Sequence, residues 1–428
     1  MSSKRRVFVT GMSAVTATGM NAAATWQALL AGQQGLGDLQ LWDLPTWSHR
    51  KAGELQDFQP ASMLPDRKLL KLISRQDVTG ISAGMQAVED SQVMTYCDQL
   101  DDAAKTVFSD EFAVYVGSPG NKYFQQYDFL PVMRHAQGDM QVFAEHLFSE
   151  VHPMWLLRVL PNNVLAYLGI TYGFKGPNHN FVNHAVSGMQ ALIEAHAAIA
   201  SGQAHRALVV GYDLGAEPQA LFYYDKLGLL SARDLKPFDV EHDGTILAEG
   251  ASAVVLESGE AVEQRSAYCY AELLGGSTAT EAKGLFAIDP EAQALQTLLS
   301  HTLQRYQLTP QDLGLVIAHG NGSYLSDVTE ARAISAVLAG EPVPVTGFKW
   351  SMGHTLCASG ILDTVLGLHA SRQQCVPGIA NLTAVAKECA ALNVSRETRP
   401  WPQNKDHMLV VNRGFAGMNA CVVLRACP

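Results

Sequence analysis

Short apolar runs alternate along the chain with segments of helical spacing. Residues 21–31 and 74–91 have helical spacing, and Asn21 is a suitable N-cap for the first of them. The apolar runs predict strands with both faces buried, at residues 6–10, 112–117, 207–211, 251–256, 315–318 and 408–411. The alternation favours a mixed α/β fold whose sheets are covered by helices on both faces.

One predicted helix, residues 187–201 (SGMQALIEAHAAIAS), has small and apolar residues around most of its circumference. Such a helix is usually buried between layers rather than exposed on one face. It directly follows the turn Asn183-His184-Ala185-Val186. A buried helix N-terminus offers free N–H groups, so this turn is a natural place to bind a developing negative charge.

The chain divides into two halves that resemble each other loosely. A new strand pattern begins at residues 268–274 and repeats the order of strand, glycine turn, helix and strand. We therefore predict an N-terminal half, residues 1–257, and a C-terminal half, residues 258–428. Residues 120–161, rich in Phe, Met, Trp and His, are predicted to be an insertion. It covers either a pocket or a partner surface, or it is a plain surface excursion.

Composition narrows the classes of protein. Of 428 residues, 47% are hydrophobic and 17% charged, which is typical of a compact folded protein. The net charge of −11 disfavours non-specific binding to nucleic acid, which needs clustered Lys and Arg. No stretch approaches the ~20 apolar residues of a membrane helix, and no apolar segment follows the basic start. We expect a cytoplasmic protein with no membrane anchor.

The seven cysteines are scattered, and none occurs in a CxxC pair. An odd number without paired spacing argues against both a disulfide framework and a structural zinc site. No metal is expected.

Three glycine-rich stretches carry candidate chemistry. They contain His319 with Asn321 and Ser323, Lys349 with His354, and Phe415. Each is predicted to lie where a strand ends, and functional side chains concentrate at such positions. Two histidines beside glycine turns, with a lysine five residues before the second, are harder to explain as purely structural. The stretches are AHGNGS (318–323), KWSMGH (349–354) and RGFAGMN (413–419).

These and four further motifs resemble the elongating β-ketoacyl-acyl-carrier-protein synthases of the thiolase superfamily. Seven motifs occur in the same order, almost from end to end. They are RRVFVTGMSAVTATG, SRQDVTGISAGMQAVEDS, YGFKGPN, PFDVEHDGTILAEGASAVVLES, HGNGSYLSDVTEARAI, KWSMGHTLCASG and GFAGMNA. The resemblance implies two α/β halves in a five-layer αβαβα thiolase-like fold, and a dimer packed through the central sheets.

The resemblance also implies roles for particular residues. His319 and His354 match the histidines that bind the malonyl thioester oxygen and promote loss of carbon dioxide. Donors placed where the enolate charge develops suit that chemistry. Lys349 matches the family lysine and Glu330 its acidic partner, which predicts a Lys349–Glu330 ion pair.

Further matches concern the acyl substrate. Phe415 matches the gate residue, and Asn321 and Ser323 stand where hydroxyl residues are expected beside the phosphopantetheine arm. Substrates of the family are carried on that arm of an acyl carrier protein, so no separate cofactor is expected.

The nucleophile is missing. The family's Thr-Ala-Cys turn aligns without a gap with Asn183-His184-Ala185, and an alanine methyl group cannot form a thioester. We expect His184, one residue away, to be packed or hydrogen-bonded with its side chain directed elsewhere.

Ala185 is either an engineered substitution or a natural loss. Several neighbouring positions also depart from the family pattern, which favours natural loss. These are Asn183, His184, His242, Thr245, Asn321, Ser323 and Ala416.

The resemblance then narrows to the chain-length factors of type II polyketide synthases. These Cys-less subunits form a heterodimer with a complete ketosynthase, work on chains held by acyl carrier protein, and limit chain length through bulky residues. Candidate wall residues, or else ordinary core, are Tyr115, Met154, Trp155 and Met189.

Other functions stay open at this point. The chain is alternatively a β-ketoacyl synthase with its nucleophile mutated, a malonyl-carrier-protein decarboxylase, or a non-catalytic scaffold. The acyl chain, its starter and its length, and the choice between homodimer and heterodimer, are not determined by the sequence.

Overall fold

Fourteen strands occur in the part of the chain described by the computed structural model, residues 5–43, 45–120 and 128–427. Ten of them form one sheet in the order β10-β9-β13-β14-β8-β1-β7-β6-β4-β5. The strands are β1 Val7–Thr16, β2 Gly37–Asp38, β3 Lys51–Ala52, β4 Phe112–Gly117, β5 Asn178–Phe181, β6 Arg206–Leu214, β7 Glu249–Ser258, β8 Ala271–Thr280, β9 Leu313–Ile317, β10 Val345–Thr346, β11 Cys375–Val376, β12 Arg399–Pro400, β13 His407–Gly414 and β14 Met418–Ala426.

The ten-stranded sheet consists of two five-stranded halves. One half contains β1, β7, β6, β4 and β5, and the other contains β8, β14, β13, β9 and β10. The halves meet where β1 pairs with β8, through Phe8 opposite Glu272 and Val9 opposite Ala271. Within each half, parallel and antiparallel pairs are mixed, as β4 runs parallel to β6 while β6 runs antiparallel to β7.

Helices cover both halves. Their bounds are α1 Ala22–Leu30, α2 Arg75–Ser91, α3 Val93–Asp98, α4 Asp102–Asp110, α5 Leu130–Ala136, α6 Met140–Glu150, α7 Trp155–Arg158, α8 Asn163–Tyr172, α9 Ser187–Ala200, α10 Pro218–Lys226, α11 Gly259–Arg265, α12 Gln293–Arg305, α13 Tyr324–Leu338, α14 Lys349–Met352 and α15 Ser359–Arg372.

Two of these helices, α9 and α15, lie between the sheet halves and contact strands of both. On the outer faces, α2 packs on β1, β6 and β7, and α12 packs on β8 and β14 beside α13. The order of layers is therefore helix, sheet, helix, sheet, helix, which confirms the predicted five-layer αβαβα fold. The helix predicted at residues 187–201 is α9, and as expected it lies inside.

The predicted strand at residues 6–10 is longer than the pattern indicated. It continues to Thr16 past a register shift at Gly11. A Cβ at Gly11 would lie 2.3 Å from the carbonyl oxygen of Ala87 in α2. The glycine therefore permits close packing of a helix on the strand and does not end the strand.

The predicted insertion, residues 120–161, falls partly outside the described residues, at 121–127. The rest forms α5, α6 and α7, with apolar side chains such as Met140 (71% exposed) and Phe148 (84% exposed). The division at residues 257 and 258 stays a prediction; β7 ends at Ser258 and α11 follows directly. Over the described ranges, no helix is both long and apolar enough to cross a membrane.

The two inner helices begin in turns of the same construction. Asn183–Gly188 reads NHAVSG and Thr355–Gly360 reads TLCASG, and each has a short 3₁₀ turn before the helix. The second residue of each has a left-handed φ, +52° at His184 and +46° at Leu356. Each turn is closed by a serine hydroxyl, from Ser187 to the carbonyl of His184 (2.7 Å) and from Ser359 to that of Leu356 (2.8 Å). The repeat places Ala185 and Cys357 in equivalent positions.

Candidate active site

A cavity of about 120 Å³ lies where the turns of the two halves meet. Five of the predicted site residues line it: His319, His354, Phe415, Asn321 and Ser323. The other three, Ala185, Lys349 and Glu330, are buried but do not line it. The remaining lining residues are His184, Tyr224, Leu227, Leu229, Thr245, Glu281, Leu285, Phe286, Ala287, Ile288, Ser326, Arg413, Gly414, Ala416 and Gly417.

Ala185 occupies the 3₁₀ turn that leads into α9, and its side chain is fully buried. The turn packs so tightly that only glycine fits beside it. A Cβ at Gly117 would lie 2.3 Å from the backbone nitrogen of Gly188, and one at Gly188 would lie 2.4 Å from the carbonyl oxygen of Cys357. The turn therefore has a fixed backbone, but the residue at its tip offers no nucleophile.

The expectation that the His184 side chain is directed away from the site is wrong, because its ring lines the cavity. The backbone N–H of Phe415 donates to Nδ1 at 3.4 Å, and the Tyr224 hydroxyl lies 2.9 Å from Nε2. The ring also stacks on Phe415, with centroids 4.3 Å apart and planes 15° from parallel. The left-handed φ at His184 sets the direction in which the side chain leaves the turn. The spacing of apolar residues in the sequence does not indicate whether φ at a given residue is positive or negative, so this direction was not predictable.

His319 and His354 face each other edge to face, with ring centroids 5.1 Å apart. The backbone N–H of Arg413 donates to Nδ1 of His319 (3.4 Å), and that of Leu356 donates to Nδ1 of His354 (3.3 Å). A nitrogen that accepts a hydrogen bond carries no proton, so in the neutral rings the proton is on Nε2. Each ring thus has an Nε2–H donor.

Both rings are held neutral. Burial lowers the pKa of His319 and of His354 well below the usual range, and the positive charge of Lys349 lowers both further. Neutral imidazoles that donate N–H are suited to stabilising an enolate oxygen without themselves changing charge.

The predicted ion pair between Lys349 and Glu330 is wrong. Lys349 Nζ donates to Oδ2 of Asp363 at 2.8 Å. Asp363 lies in the first part of α15, the helix that follows the turn at Thr355–Gly360. Glu330 instead accepts the backbone N–H groups of His319 (2.7 Å) and Gly320 (2.9 Å). Glu330 therefore fixes the loop that carries the first histidine. Burial raises the pKa of its carboxyl group to about 7, although Arg413 and the two hydrogen bonds oppose the rise.

A second buried ion pair lies in the cavity wall and was missed by the sequence analysis. Arg413 donates to Oε1 of Glu281 (3.0 Å), to Asn419 (3.0 Å) and to the Thr329 hydroxyl (3.0 Å). The one indication of this ion pair in the sequence was Arg413, a charged residue directly before the glycine-rich turn at residues 414–417. Its partner is 132 residues away, and no local pattern indicates it.

Asn321 and Ser323 stand at the start of α13. The side-chain oxygen of Asn321 accepts the backbone N–H of Ser323 at 3.0 Å. Their contact with a phosphopantetheine arm stays a prediction.

The four candidate wall residues do not line this cavity. Tyr115 and Met189 belong to the buried core.

No group of metal-binding side chains lies in the cavity among the described residues. One group elsewhere brings three donors within 4.8 Å of one another: His135, His146 and Glu150. None of them lines the cavity.

Comparison with known proteins agrees with this architecture. Residues 4–261 match the model of the β-ketoacyl synthase N-terminal domain, and residues 270–383 match that of its C-terminal domain. A 3-oxoacyl-[acyl-carrier-protein] synthase 2 of Coxiella burnetii is 28% identical over 432 residues, with 98% of each chain covered.

Solved structures share the fold. The ishigamide ketosynthase/chain length factor matches with a TM-score of 0.84 at 21% identity, covering 99% of this chain and 100% of that one. A type II polyketide synthase acyl-carrier protein in complex with its ketosynthase bound to the hexaketide matches with a TM-score of 0.84 at 22% identity and the same coverage. Since the two domain models together account for most of the sequence, the chain belongs to the β-ketoacyl synthase family.

Proposed function

We propose that this chain is a chain-length-factor subunit, which pairs with a Cys-containing β-ketoacyl synthase and helps to define the length of a chain carried on acyl carrier protein. The observation that carries the proposal is Ala185 at the tip of the turn where the family carries its nucleophile. The turn is closed by the Ser187 hydroxyl, is packed tightly at Gly117 and Gly188, and leads into a buried helix, but its tip carries no reactive group.

The residue types support this interpretation. A growing acyl chain is held as a thioester on a nucleophilic side chain, and Ala185 provides none. The chain would therefore elongate in the pocket of a partner synthase, with this subunit forming part of the surroundings of that pocket.

The names of structural neighbours are consistent with both partners. One is a ketosynthase/chain length factor, and another is a ketosynthase in complex with an acyl-carrier protein. At 21–22% identity, these two neighbours support the fold only. The partners proposed here rest on that fold together with the missing nucleophile at Ala185.

The test is co-expression with the synthase encoded nearby, followed by size exclusion and intact mass. We expect a one-to-one complex that makes an acyl product of defined length from malonyl carrier protein. The matched control is a partner whose own nucleophilic cysteine is changed to alanine, which should abolish product in the same complex. A homodimer that does not bind the partner, or a partner that makes the same product alone, would contradict the proposal.

A second candidate is decarboxylation of malonyl carrier protein without condensation. Two neutral imidazoles with Nε2–H donors, His319 and His354, favour it. The measurement is carbon dioxide release by the complex that contains the Cys-less partner. Decarboxylation that disappears on His319→Ala in this chain would support the activity. Carbon dioxide release no higher than in buffer would show that this subunit does not decarboxylate malonyl carrier protein.

A further inference from the structure

We propose that His184 blocks the oxyanion site of this chain, so that condensing chemistry is disabled by this histidine as well as by the missing cysteine. The inference rests on the proposed non-condensing role and deepens it. It concerns the cavity of this subunit alone.

Acyl transfer at the turn needs donors for the oxygen of a tetrahedral intermediate. The candidate donors at this turn are the backbone N–H groups of residues 185 and 415, the pair that the resemblance to the synthases implies. The two positions lie near each other, since a Cβ built on Gly414, next to Phe415, would be 3.4 Å from Nδ1 of His184 and 3.5 Å from the nitrogen of Ala185. The N–H of Phe415 already donates to Nδ1 of His184. An N–H group engaged in this way is not available to an oxyanion.

The imidazole is held in that position from several sides. Because Nδ1 accepts, Nε2–H is the donor toward the Tyr224 hydroxyl at 2.9 Å. Phe415 stacks on the ring at 4.3 Å, and Tyr224 stacks on Phe415 at 5.2 Å. The left-handed φ of +52° is one that histidine adopts more readily than most residues. Together these contacts make the ring part of the cavity wall.

The experiment restores the nucleophile with and without the imidazole. Ala185→Cys is compared with His184→Gly/Ala185→Cys, glycine being suited to the left-handed φ. The probe is hexanoyl-N-acetylcysteamine thioester, read by intact mass. The thiolate introduced at position 185 attacks the thioester carbonyl, the new acyl–sulfur bond forms, and N-acetylcysteamine leaves as a thiolate that takes a proton from water.

We expect the double variant to be acylated about 100-fold faster than the single one, because loss of one oxyanion donor typically costs about 10²–10³ in rate. Alkylation by iodoacetamide forms no oxyanion, so its rate reports access to the thiol separately. His184→Asn/Ala185→Cys is the second variant, with a shorter side chain that also tolerates left-handed φ.

Equal acylation rates of the single variant and both double variants would overturn the inference. The co-expression test of the partner complex uses the chain with Ala185 and is independent of these variants. A failure of the blocking role is therefore distinguishable from a failure of the chain-length-factor role.

A separate observation carries a second proposal: His135, His146 and Glu150 form a site for a divalent transition metal of the Zn²⁺ class. His135 lies on α5, while His146 and Glu150 lie one turn apart on α6. The Nδ1 atoms of both histidines approach one carboxylate oxygen, Oε1 of Glu150, at 2.8 and 3.7 Å.

The arrangement of the three side chains fits one shared ion. The imidazoles stack with centroids 4.1 Å apart, so that both rings present a nitrogen to the same carboxylate group. Donors bound to one zinc ion at ~2.0–2.1 Å lie roughly 3.3 Å apart in a tetrahedral site. The three donors already lie within 4.8 Å of one another on partly exposed side chains. Two histidines and a glutamate leave one position for water.

The test is calorimetric titration of the full chain with ZnCl₂. We expect one equivalent to bind, and His146→Ala or Glu150→Gln to weaken binding at least about 10-fold. His152→Ala removes a neighbouring histidine outside the group and should leave the affinity unchanged. Bound Zn²⁺ should also raise the Tm of the wild type but not of His146→Ala. Binding that is equally strong in His146→Ala and the wild type would overturn the assignment.

Discussion

Lys349 forms a fully buried ion pair with Asp363, with 2.8 Å between Nζ and Oδ2 and both side chains 2% exposed. The pair connects α14 to α15, the helix that begins in the second of the two related turns. The lysine also lowers the pKa of His319 and His354 from behind the cavity. It therefore acts on the candidate site through its charge, without lining it.

Removing one member of this ion pair should strongly destabilise the folded protein. Lys349→Met leaves the Asp363 carboxylate buried and uncompensated, and we expect a loss of about 3–5 kcal/mol in the free energy of unfolding. Lys349→Met/Asp363→Leu should recover most of that loss, because a buried ion pair is often replaced at little cost by apolar residues. Urea denaturation of both variants measures the difference. A single variant as stable as the wild type would show that the pair is unimportant.

The buried histidines should make stability depend on pH. The pKa of His354 in the folded protein is depressed, so as pH falls below about 6.5 the unfolded chain takes up a proton that the folded protein does not. The folded state is therefore progressively disfavoured. Other groups contribute too, since burial raises the pKa of Glu330 to about 7, which acts in the opposite direction.

A difference measurement isolates the histidine. The free energy of unfolding of the wild type minus that of His354→Asn should decrease between pH 7 and pH 5, by up to about 1.4 kcal/mol per pH unit. Urea titrations at several pH values give this difference. Two parallel pH profiles would mean that His354 is not held neutral in the fold.

Because β4 approaches α9 closely, we expect that no side chain larger than that of glycine is tolerated at Gly117. A Cβ there would lie 2.3 Å from a backbone nitrogen, which cannot move as a flexible side chain can. Gly117→Ala should destabilise the fold by at least about 1–3 kcal/mol, the usual cost of overpacking. Gly37→Ala is the matched control, because a methyl group added there would have nothing within 4 Å. Thermal unfolding of both variants tests the claim, which fails if the two Tm values shift equally.

Much of the fold followed from the amino-acid sequence. Apolar runs bounded by glycines indicated the buried strands because a strand covered on both faces has no polar side to show. Asn21 was predicted as a cap because a short side-chain oxygen can accept a free N–H group, and it accepts that of Ala24 at 2.8 Å. The small-residue helix α9 was placed inside for a similar reason, since small and apolar residues cover most of its circumference, although Glu194 is exposed.

The sequence motifs also indicated which loops form the site. His319, His354 and Phe415 come from three distant stretches, and the resemblance to the synthases was enough to bring them together. The loss of the nucleophile at Ala185 was likewise evident, because a single residue type decides it.

Only the tertiary structure decided the partners and directions of side chains. Sequence spacing does not distinguish Asp363 from Glu330 as the partner of Lys349, and the fold selects Asp363 because the lysine faces α15. The inward direction of His184 depends on a left-handed φ and on Tyr224 and Phe415, which reach it from 40 and 231 residues away. Residue type and spacing determine what a segment can form locally, whereas contacts between distant segments determine which side chains share a buried cavity.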